Sequence, residues 1–569
     1  MKRSGMNWVL VGVMAVVANP ARAQVSEERI RELIQRASEN VRNGSVDQVP
    51  QAQAPGQTRA VIRLTLEDAV KFALDRNLDI AVQRLNPEIN DIAIASVRSV
   101  YHPALTSTLS AAALNQLPTS QLIGGTNVVQ ETQTYNGGVA QSVPWGGGSF
   151  QVALNNFRQT STSNNVLFNP AIQSVWSAVY TQPVLRGFKT DATRQQLQVT
   201  RINRDISDVQ LRATITNTLS NVRNAYWDYV FAVQSLDVAQ QSVDLAEQLV
   251  KDNQTRVEVG TMAPIDVVQA QSQAATARQN LAVARQAMQT GELVLKRLIV
   301  NGTEDPNWNA QLDPIDRPEF HPTPIDIEAA VRRALSERTD LDVAKKTTQM
   351  NDVTLRYLRD QLLPQADVQA TYGLAGIGGV QFQRPSNQLG GTPTIVPGGF
   401  NDTLSALFNN RYPRWTFALN FSYPLGLSSQ EASVARARVQ LNQVQAQVKQ
   451  IELQVATDVT NAAVTVQSNT ERVEAAQAAR ELAQKQLEAE QSKFEVGMST
   501  NYNVIQSQRD LATAQNNELQ AVLNYRKALV ELERLQQTTL QNLNITVLSA
   551  GGGGGTTTTT TTTRTTTGG

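Results

Sequence analysis

The chain has 569 residues, and its 50 basic and 50 acidic side chains cancel to a formal net charge of zero. This balance argues against the basic patch or stripe that nucleic-acid-binding proteins present, so no nucleic-acid partner is expected. Cysteine is absent, which excludes disulfides, thiolate metal sites and cysteine nucleophiles.

The N-terminus has the pattern of a secretory signal peptide. Lys2 and Arg3 precede an apolar run from Trp8 to Val17, and Ala21-Arg22-Ala23 fits a cleavage site. We therefore predict that residues 1–23 are removed. The apolar run of about 10 residues is too short to span a bilayer as a helix. No cysteine follows the cleavage site, so the mature chain is not expected to be lipidated at its N-terminus.

A duplication organises the rest of the chain. The segment from Leu66 to Leu74 recurs 261 positions later, from Ile327 to Leu335. The tetrapeptide ending at Gly260 recurs 237 positions later, ending at Gly497. A register kept over such spans predicts two structurally equivalent halves.

Each half begins with a helix and continues into strands. Thr65 opens a helix with a cap-like pattern, and that helix is predicted to run to about Val100, before Pro103. Alternating apolar and polar residues then predict strands within about 104–185 and, in the second half, about 366–425. The Gly- and Pro-rich stretch 375–413 is interpreted as a long loop.

Two long helices follow the strand regions, and neither meets a Gly or Pro before Gly260 or Gly497. Apolar residues recur every 3.5 positions along both, which is typical of coiled-coil arms of roughly 100 Å. Only Asn469 and Arg480 interrupt the two seams. Second helices over about 262–299 and 501–537 would complete an antiparallel helical hairpin in each half.

The predicted organisation is therefore as follows: signal peptide (1–23), N-terminal helix near 26–41 and linker (24–60), repeat one (61–300), connector (301–325), repeat two (326–540) and a C-terminal extension (541–569) ending in a Gly/Thr-rich tail. The tail lacks apolar residues to bury and is expected to be disordered.

The order of these elements resembles the TolC-like outer-membrane efflux protein family, also called outer membrane factors. The resemblance rests on the Leu/Ile-x-x-Ala-x-x-x-Ala-Leu openings, the helix-ending Pro103 and Pro364, and the Val-Gly turns at Gly260 and Gly497, each followed by Val-x-Gln-x-Gln. It covers about residues 60–540. It implies a mainly α fold with a membrane β-barrel, in which a homotrimer forms the barrel in the outer membrane and an α-helical tunnel in the periplasm.

The predicted strands also require an oligomer, independently of the resemblance. No later stretch of about 20 residues is apolar, so a membrane would have to be crossed by strands. A few strands per chain cannot close a barrel, and an open edge in lipid is not viable. We expect six strands per chain, four in repeat one and two in repeat two, against four in the family pattern. The extra hairpin is 133–158; the alternative places it in an outer loop.

Three groups of candidate site residues follow. The resemblance implies that the turns at the ends of the hairpins contact a periplasmic adaptor protein; the alternative, compatible with it, is that the glycines only supply the left-handed cap of a helix–helix turn. Just beyond each turn, candidate gate residues share one face of a helical turn; an ordinary solvated helix start is the alternative. The family often carries aspartates at the repeat-two positions, which are Asn503 and Gln506 here. Aromatic residues near the strands are candidates for a girdle at the lipid–water interfaces; ordinary packing between strand aromatics is the alternative. The tips are Val259, Gly260, Thr261, Val496, Gly497, Met498 and Ser499; the gate candidates are Asp266, Gln269, Asn503 and Gln506; the interface aromatics are Trp145, Trp176, Tyr180, Tyr412, Trp415 and Tyr423.

The resemblance thus implies a passive exit duct in the outer membrane of a Gram-negative cell, with most of the chain in the periplasm. It would carry small molecules from an inner-membrane pump, of the RND or ABC type, through the adaptor to the outside. No catalytic, metal or cofactor motif is recognisable, so no enzyme is expected. The alternatives are the outer-membrane channel of a type I protein secretion system and, in a different class, a periplasmic coiled-coil scaffold without a pore.

Overall fold

The computed structural model describes residues 35, 60–117, 127–163, 165–317, 320–322, 324–383, 392–426 and 428–545. The predicted signal peptide and the Gly/Thr-rich tail lie outside these residues, as does the predicted helix near 26–41 except for Gln35. The chain divides into two compact units. The helical unit comprises the described residues within 1–91, 205–343 and 449–569, and the sheet unit comprises those within 92–204 and 344–448.

The opening helix of each half is divided in two. In repeat one, α1 (Leu66–Arg76) is followed by α2 (Leu78–Arg98) and a short 3₁₀ turn (Ser99–Tyr101). The expectation of one helix to about Val100 is therefore wrong. The break lies at Asn77, whose side chain accepts hydrogen bonds from the Asp79 and Ile80 amides and donates one to the Leu298 carbonyl at 2.9 Å.

The long helices have the same length in both halves. The first, α3 (Ala192–Glu258), has 67 residues and is followed by α4 (Pro264–Ile299). After the elements described below, α9 (Ser429–Glu495), also of 67 residues, is followed by α10 (Asn501–Leu535) and the short α11 (Thr539–Asn542).

The heptad positions are largely buried within the helical unit, as the seam requires. Val243 and Ala246 of α3 pack against Ala274 and Ala277 of α4. The two exceptions to the seam are accommodated by polar partners. Asn469 donates to the Asn524 carbonyl, and Arg480 forms an ion pair with Glu518 at 2.6 Å.

A two-stranded parallel sheet lies in the core of the helical unit. It pairs β1 (Val61–Leu64) with β6 (Gln311–Pro314), which follows the short α5 (Pro306–Asn309). Two tyrosines of α3 bind this sheet: Tyr229 donates to the Leu312 carbonyl at 2.5 Å, and the Tyr226 hydroxyl lies 3.1 Å from the Leu64 carbonyl and 2.8 Å from Asp316, which follows β6. Burial is the main cause that raises the pKa of both phenols far above the ordinary value.

The sheet unit holds a fully antiparallel sheet. Its strands are β2 (Ala104–Gln116), β3 (Val128–Ser142), β4 (Ser149–Ser161), β5 (Phe168–Pro183), β7 (Gln365–Gln383), β8 (Thr394–Val396) and β9 (Tyr412–Ser422). The order is β2-β3-β4-β5-β7, and the second side of β7 pairs with both β8 and β9. In repeat two, the helices α6 (Ile327–Glu337) and α7 (Thr339–Asp360) precede β7.

The hairpin expected within 133–158 belongs to the sheet, where β3 and β4 form thirteen residue pairs between β2 and β5. The six strands expected are therefore present among the described residues, and the three-residue β8 is a seventh that the sequence did not predict. The long loop expected at 375–413 is wrong over most of its described part. There, β7 continues to Gln383 and a helix, α8 (Phe400–Phe408), forms before β9.

The pairing register gives the sheet two different sides. Residues that pair directly across an antiparallel sheet carry their side chains on the same side. We call one side the apolar face; it carries Leu105, Val139, Val152, Leu154, Trp176, Tyr372, Leu374, Trp415, Phe417, Leu419 and Phe421. The opposite side, the polar face, carries Thr106, Thr108, Asn136, Gln151, Asn155, Ser177, Thr371, Arg414, Thr416 and Asn420.

Candidate functional site

The two tip turns have the same backbone geometry. Gly260 and Gly497 take positive φ values of 78° and 79°, each two residues after the end of its helix, α3 or α9. In repeat one, the Thr261 amide donates to the Arg256 carbonyl and the Gly260 amide to the Val257 carbonyl. The Met498 and Gly497 amides repeat both bonds. This is the Schellman pattern, in which glycine supplies the left-handed residue that ends a helix.

The tips of the two repeats lie beside each other in the helical unit. Asn253, which is fully buried, donates to the Asn501 side chain at 2.9 Å, and Asn501 donates to the Asp266 carbonyl at 3.2 Å. The Arg256 guanidinium lies over the Phe494 ring, 4.5 Å from its centroid, and donates to the Phe494 carbonyl. The sequence pattern did not reveal this contact, because it joins residues about 240 positions apart.

The outer surface of each turn is apolar. Val259 is 69% exposed, Val496 68% and Met498 76%. Ile265 and Tyr502, just beyond the turns, are also exposed. Exposed apolar side chains grouped at one end of a protein are typical of an interaction surface. The turn residues predicted from the sequence are therefore accessible, and Ser499, which is half-buried, donates to Glu490 at 2.6 Å.

The four gate candidates begin the helices after the turns. Asp266 is half-buried, whereas Gln269, Asn503 and Gln506 are exposed. Gln506 donates to Asp510 at 2.9 Å, so an acid that the sequence did not single out lies one turn further on. Within the described part of the chain, no three acidic or histidine side chains group as a metal ion would require.

The six aromatic candidates do not share one position. Trp176, Tyr180 and Trp415 lie on the apolar face, where Trp176 meets Tyr372 edge to face with ring centroids 6.4 Å apart. Tyr412 pairs with Ala375 and therefore lies on the polar face. Trp145 is in the turn between β3 and β4, and Tyr423 follows β9.

Among the residues that the structure describes, the sheet has two edges without a partner strand, and the two are of similar length. β2, with 13 residues, forms one edge, and β9, with 11 residues, forms most of the other. All 13 residues of β2 and all but one of β9 are exposed. Edges of this kind carry unpaired N–H and C=O groups that readily pair with another chain. None of the helices in the described ranges has the length and apolar composition needed to cross a membrane.

This combination of long helical hairpins and a two-faced sheet is the fold of solved outer-membrane channels. The structure is similar to that of the CmeC outer membrane channel of Campylobacter jejuni, with 12% identity and a TM-score of 0.59 over 87% of this chain and 96% of CmeC. It is also similar to the outer membrane protein VceC of Vibrio cholerae, with 13% identity and a TM-score of 0.58 over 83% of this chain and 95% of VceC. For the open MtrE outer membrane channel of Neisseria gonorrhoeae, the values are 15% identity and a TM-score of 0.55 over 86% of this chain and 95% of MtrE.

The sequence matches the family model for outer membrane efflux proteins over residues 149–300 and 330–536, well over half of the chain. The chain therefore belongs to the outer membrane efflux protein family, as its motifs predicted. No curated protein sequence matches the chain.

Proposed function

We propose that the protein is a passive exit duct in the outer membrane of a Gram-negative cell and acts within a tripartite efflux system. The observation that carries this proposal is the two-faced sheet with unpaired edges, in a chain of the outer membrane efflux protein family. An apolar face suits lipid and a polar face suits a water-filled lumen. Solved relatives are outer-membrane channels, which supports the same assignment.

The proposal includes a homotrimer. In it, β9 of one chain pairs with β2 of the next, so that three copies of the sheet close one barrel without an edge. Each chain would contribute six long strands to that barrel. The equal lengths of α3 and α9 support a duplicated unit, in which both repeats build the same helical wall of a periplasmic tunnel.

The tips would receive the periplasmic adaptor protein, which links the duct to an inner-membrane pump of the RND or ABC type. The matching Schellman turns and their exposed valines support this assignment, because a trimer would then offer six similar docking sites. The duct has no chemistry of its own in this scheme, and the pump supplies the work. The cargo is small molecules, and Asp266, Gln269, Asn503 and Gln506 line the constriction that the cargo passes.

Assembly and conductance test the duct directly. The protein, purified from outer membranes in mild detergent, is expected to migrate as a trimer that dissociates on boiling and to open stable conductances in planar bilayers. A water-soluble monomer recovered from the periplasm, with no conductance, would instead favour the scaffold without a pore.

The adaptor contact is tested at the turns. Gly260→Arg or Gly497→Arg is expected to leave the trimer intact and abolish efflux, because a long charged side chain then covers the apolar turn. Gly260→Asn is the matched control, since asparagine accepts the left-handed conformation without adding charge. Unchanged drug susceptibility in both arginine variants would count against the contact.

A further inference from the structure

The helix α8 (Phe400–Phe408) is the part of the sheet unit that the duct function does not require. We propose that α8 is a membrane-interface anchor that holds Phe400, Leu404 and Phe408 against the acyl chains of the lipid around the sheet. This inference rests on the proposed function, because it takes the apolar face as the side of the sheet that meets lipid.

The helix is seated firmly on the sheet. Thr403 is fully buried and donates to the Ile172 carbonyl of β5 at 3.2 Å. Ala406 and Leu407 are buried beside it, and Ser174 of β5 has no exposed surface. The helix is therefore packed on the face of the sheet and is not part of a loop that extends beyond the strand ends.

Two glycines of β7 make this seat possible. A Cβ atom added to Gly376 would lie 2.1 Å from the Thr403 carbonyl oxygen, and one added to Gly378 would lie 2.4 Å from the Thr403 hydroxyl oxygen. Both distances are far below any van der Waals contact. The backbone of α8 thus lies so close to β7 that only glycine fits at these two positions.

The glycines also identify the side of the sheet on which α8 lies. Gly376 pairs with Ser174, and both belong to the face that continues along β5 and β7 as Trp176, Leu374 and Tyr372. On the neighbouring β9, the same face carries Trp415, which is 77% exposed. The helix therefore lies on the same side of the sheet as the apolar face, at the strand ends away from α3 and α7, where the paired β4 residues on this side are the polar Asn156 and Arg158.

The surface of α8 that faces away from the sheet has an apolar flank and a polar flank. Phe400, Leu404 and Phe408 follow at intervals of four and form one flank of the helix. Phe408 is 76% exposed, Phe400 is exposed and Leu404 is half-buried. The other flank carries Asp402, whose carboxylate accepts a bond from the Gly399 amide at 2.7 Å. An apolar flank beside a polar one is the pattern of a helix that lies in a membrane interface.

Lipid fits this flank better than a second copy of the chain. α8 packs on β5 and β7, which are inner strands of the sheet, whereas another copy would add its strands at the edges β2 and β9. The nine residues of the helix are too few to cross a bilayer. The helix therefore lies on the membrane boundary, where phenylalanine side chains insert and carboxylates remain in water.

The absence of cysteine allows a direct test with single-cysteine variants. Phe408→Cys, Ser405→Cys and Phe417→Cys are labelled with an environment-sensitive fluorophore and reconstituted in phosphatidylcholine vesicles with a nitroxide on the lipid acyl chain. Ser405 is exposed on the same helix but outside the phenylalanine flank, and Phe417 lies on the apolar face of β9. A change in electrophoretic mobility on boiling verifies that each variant has assembled.

We expect the Phe408 and Phe417 labels to be quenched by the lipid nitroxide at least about twofold more than the Ser405 label, which iodide in the buffer should quench. Quenching at Phe417 without quenching at Phe408 would overturn the anchor and leave the proposed duct in place. If the Phe408 label is protected from both quenchers, a protein contact covers α8 and the anchor is likewise wrong. If neither the Phe408 nor the Phe417 label is quenched by lipid, the membrane face and the anchor fail together.

Discussion

The helical arms and the strand regions of the two repeats have diverged to very different degrees. The arms α3 and α9 have 67 residues each, and they end in turns with the same hydrogen bonds. The strand regions differ throughout: repeat one has four long strands, whereas repeat two has two long strands, a three-residue strand and a helix on the sheet. Each arm must keep its length because its tip contacts the tip of the other repeat. An added hairpin, by contrast, forms its own backbone hydrogen bonds and changes only the width of the sheet.

We expect the largest effect on efflux when the helical hairpins of the two repeats are given different lengths. Deleting residues 244–250 of α3 and 275–281 of α4 removes one heptad from each helix of the repeat-one hairpin. The tip of that hairpin then moves by about 10 Å. The Asn253–Asn501 contact is then lost, and we expect efflux to fall to the level of a strain lacking the protein. Drug susceptibility measures the effect.

The matched control shortens both repeats. Deleting residues 474–480 and 512–518 as well removes Arg480 together with its partner Glu518 and brings the two tips level again, so the contact between them should return. Crosslinking between cysteines placed at the two tips reports this contact directly. If the one-sided deletion is tolerated, the equal arm lengths have no role in function.

The second prediction removes the extra hairpin. Deletion of residues 128–161 leaves β2 and β5 antiparallel and free to pair, so the chain should still assemble. With four long strands per chain, the proposed barrel would be narrower, and we expect its single-channel conductance to be roughly halved. If the shortened chain fails to form the proposed trimer, the hairpin is essential to the sheet and not an addition to it.

The third prediction concerns the seat of α8. Gly376→Ala places a Cβ atom 2.1 Å from the Thr403 carbonyl oxygen, and overpacking of this kind typically costs about 1–3 kcal/mol. We expect a lower Tm in detergent by circular dichroism. Gly137→Ala on the same face is the control, because its added Cβ meets no atom within 4 Å. Equal Tm values for the two variants would mean that α8 adapts freely.

The smallest effect is expected at Asp305, which caps α5 and binds Arg76 at 3.2 Å. Burial acts to raise the pKa of this carboxyl, but amides of Asn307 and Asn301 and the Arg76 guanidinium lower it overall. Its stabilising effect is therefore present above the ordinary pKa of about 4 and is lost as the pH falls through the lowered value.

Asp305→Asn should accordingly cost about 1 kcal/mol or less at neutral pH. The unfolding temperatures of the variant and the parent chain should converge in acid. A difference in Tm that persists unchanged down to pH 2 would assign the effect to packing rather than to the carboxylate charge.

The sequence predicted what local chemistry determines and missed what distant packing determines. The seams of α3 and α9 follow from periodicity, and the turns at Gly260 and Gly497 from the need of a helix end for glycine. The break at Asn77 was missed because the apolar pattern continues through it and the bond that holds it reaches Leu298. The helix α8 was missed because a nine-residue segment between glycines and prolines has only a weak helical pattern. Its packing on the glycines of β7 cannot be seen in the local sequence.

The pairing of β1 with β6 has a consequence for how the chain folds. These strands begin and follow repeat one, and they hydrogen-bond in parallel over four residue pairs. Repeat one is thereby closed into a ring by non-covalent bonds before the chain continues into repeat two. A chain that enters the periplasm with its N-terminus first can thus assemble much of the core of its first half while the second half is still being exported, and Leu523 of α10 joins that core afterwards. The connector after Pro314 is consequently the place where the protein should tolerate being produced as two separate fragments.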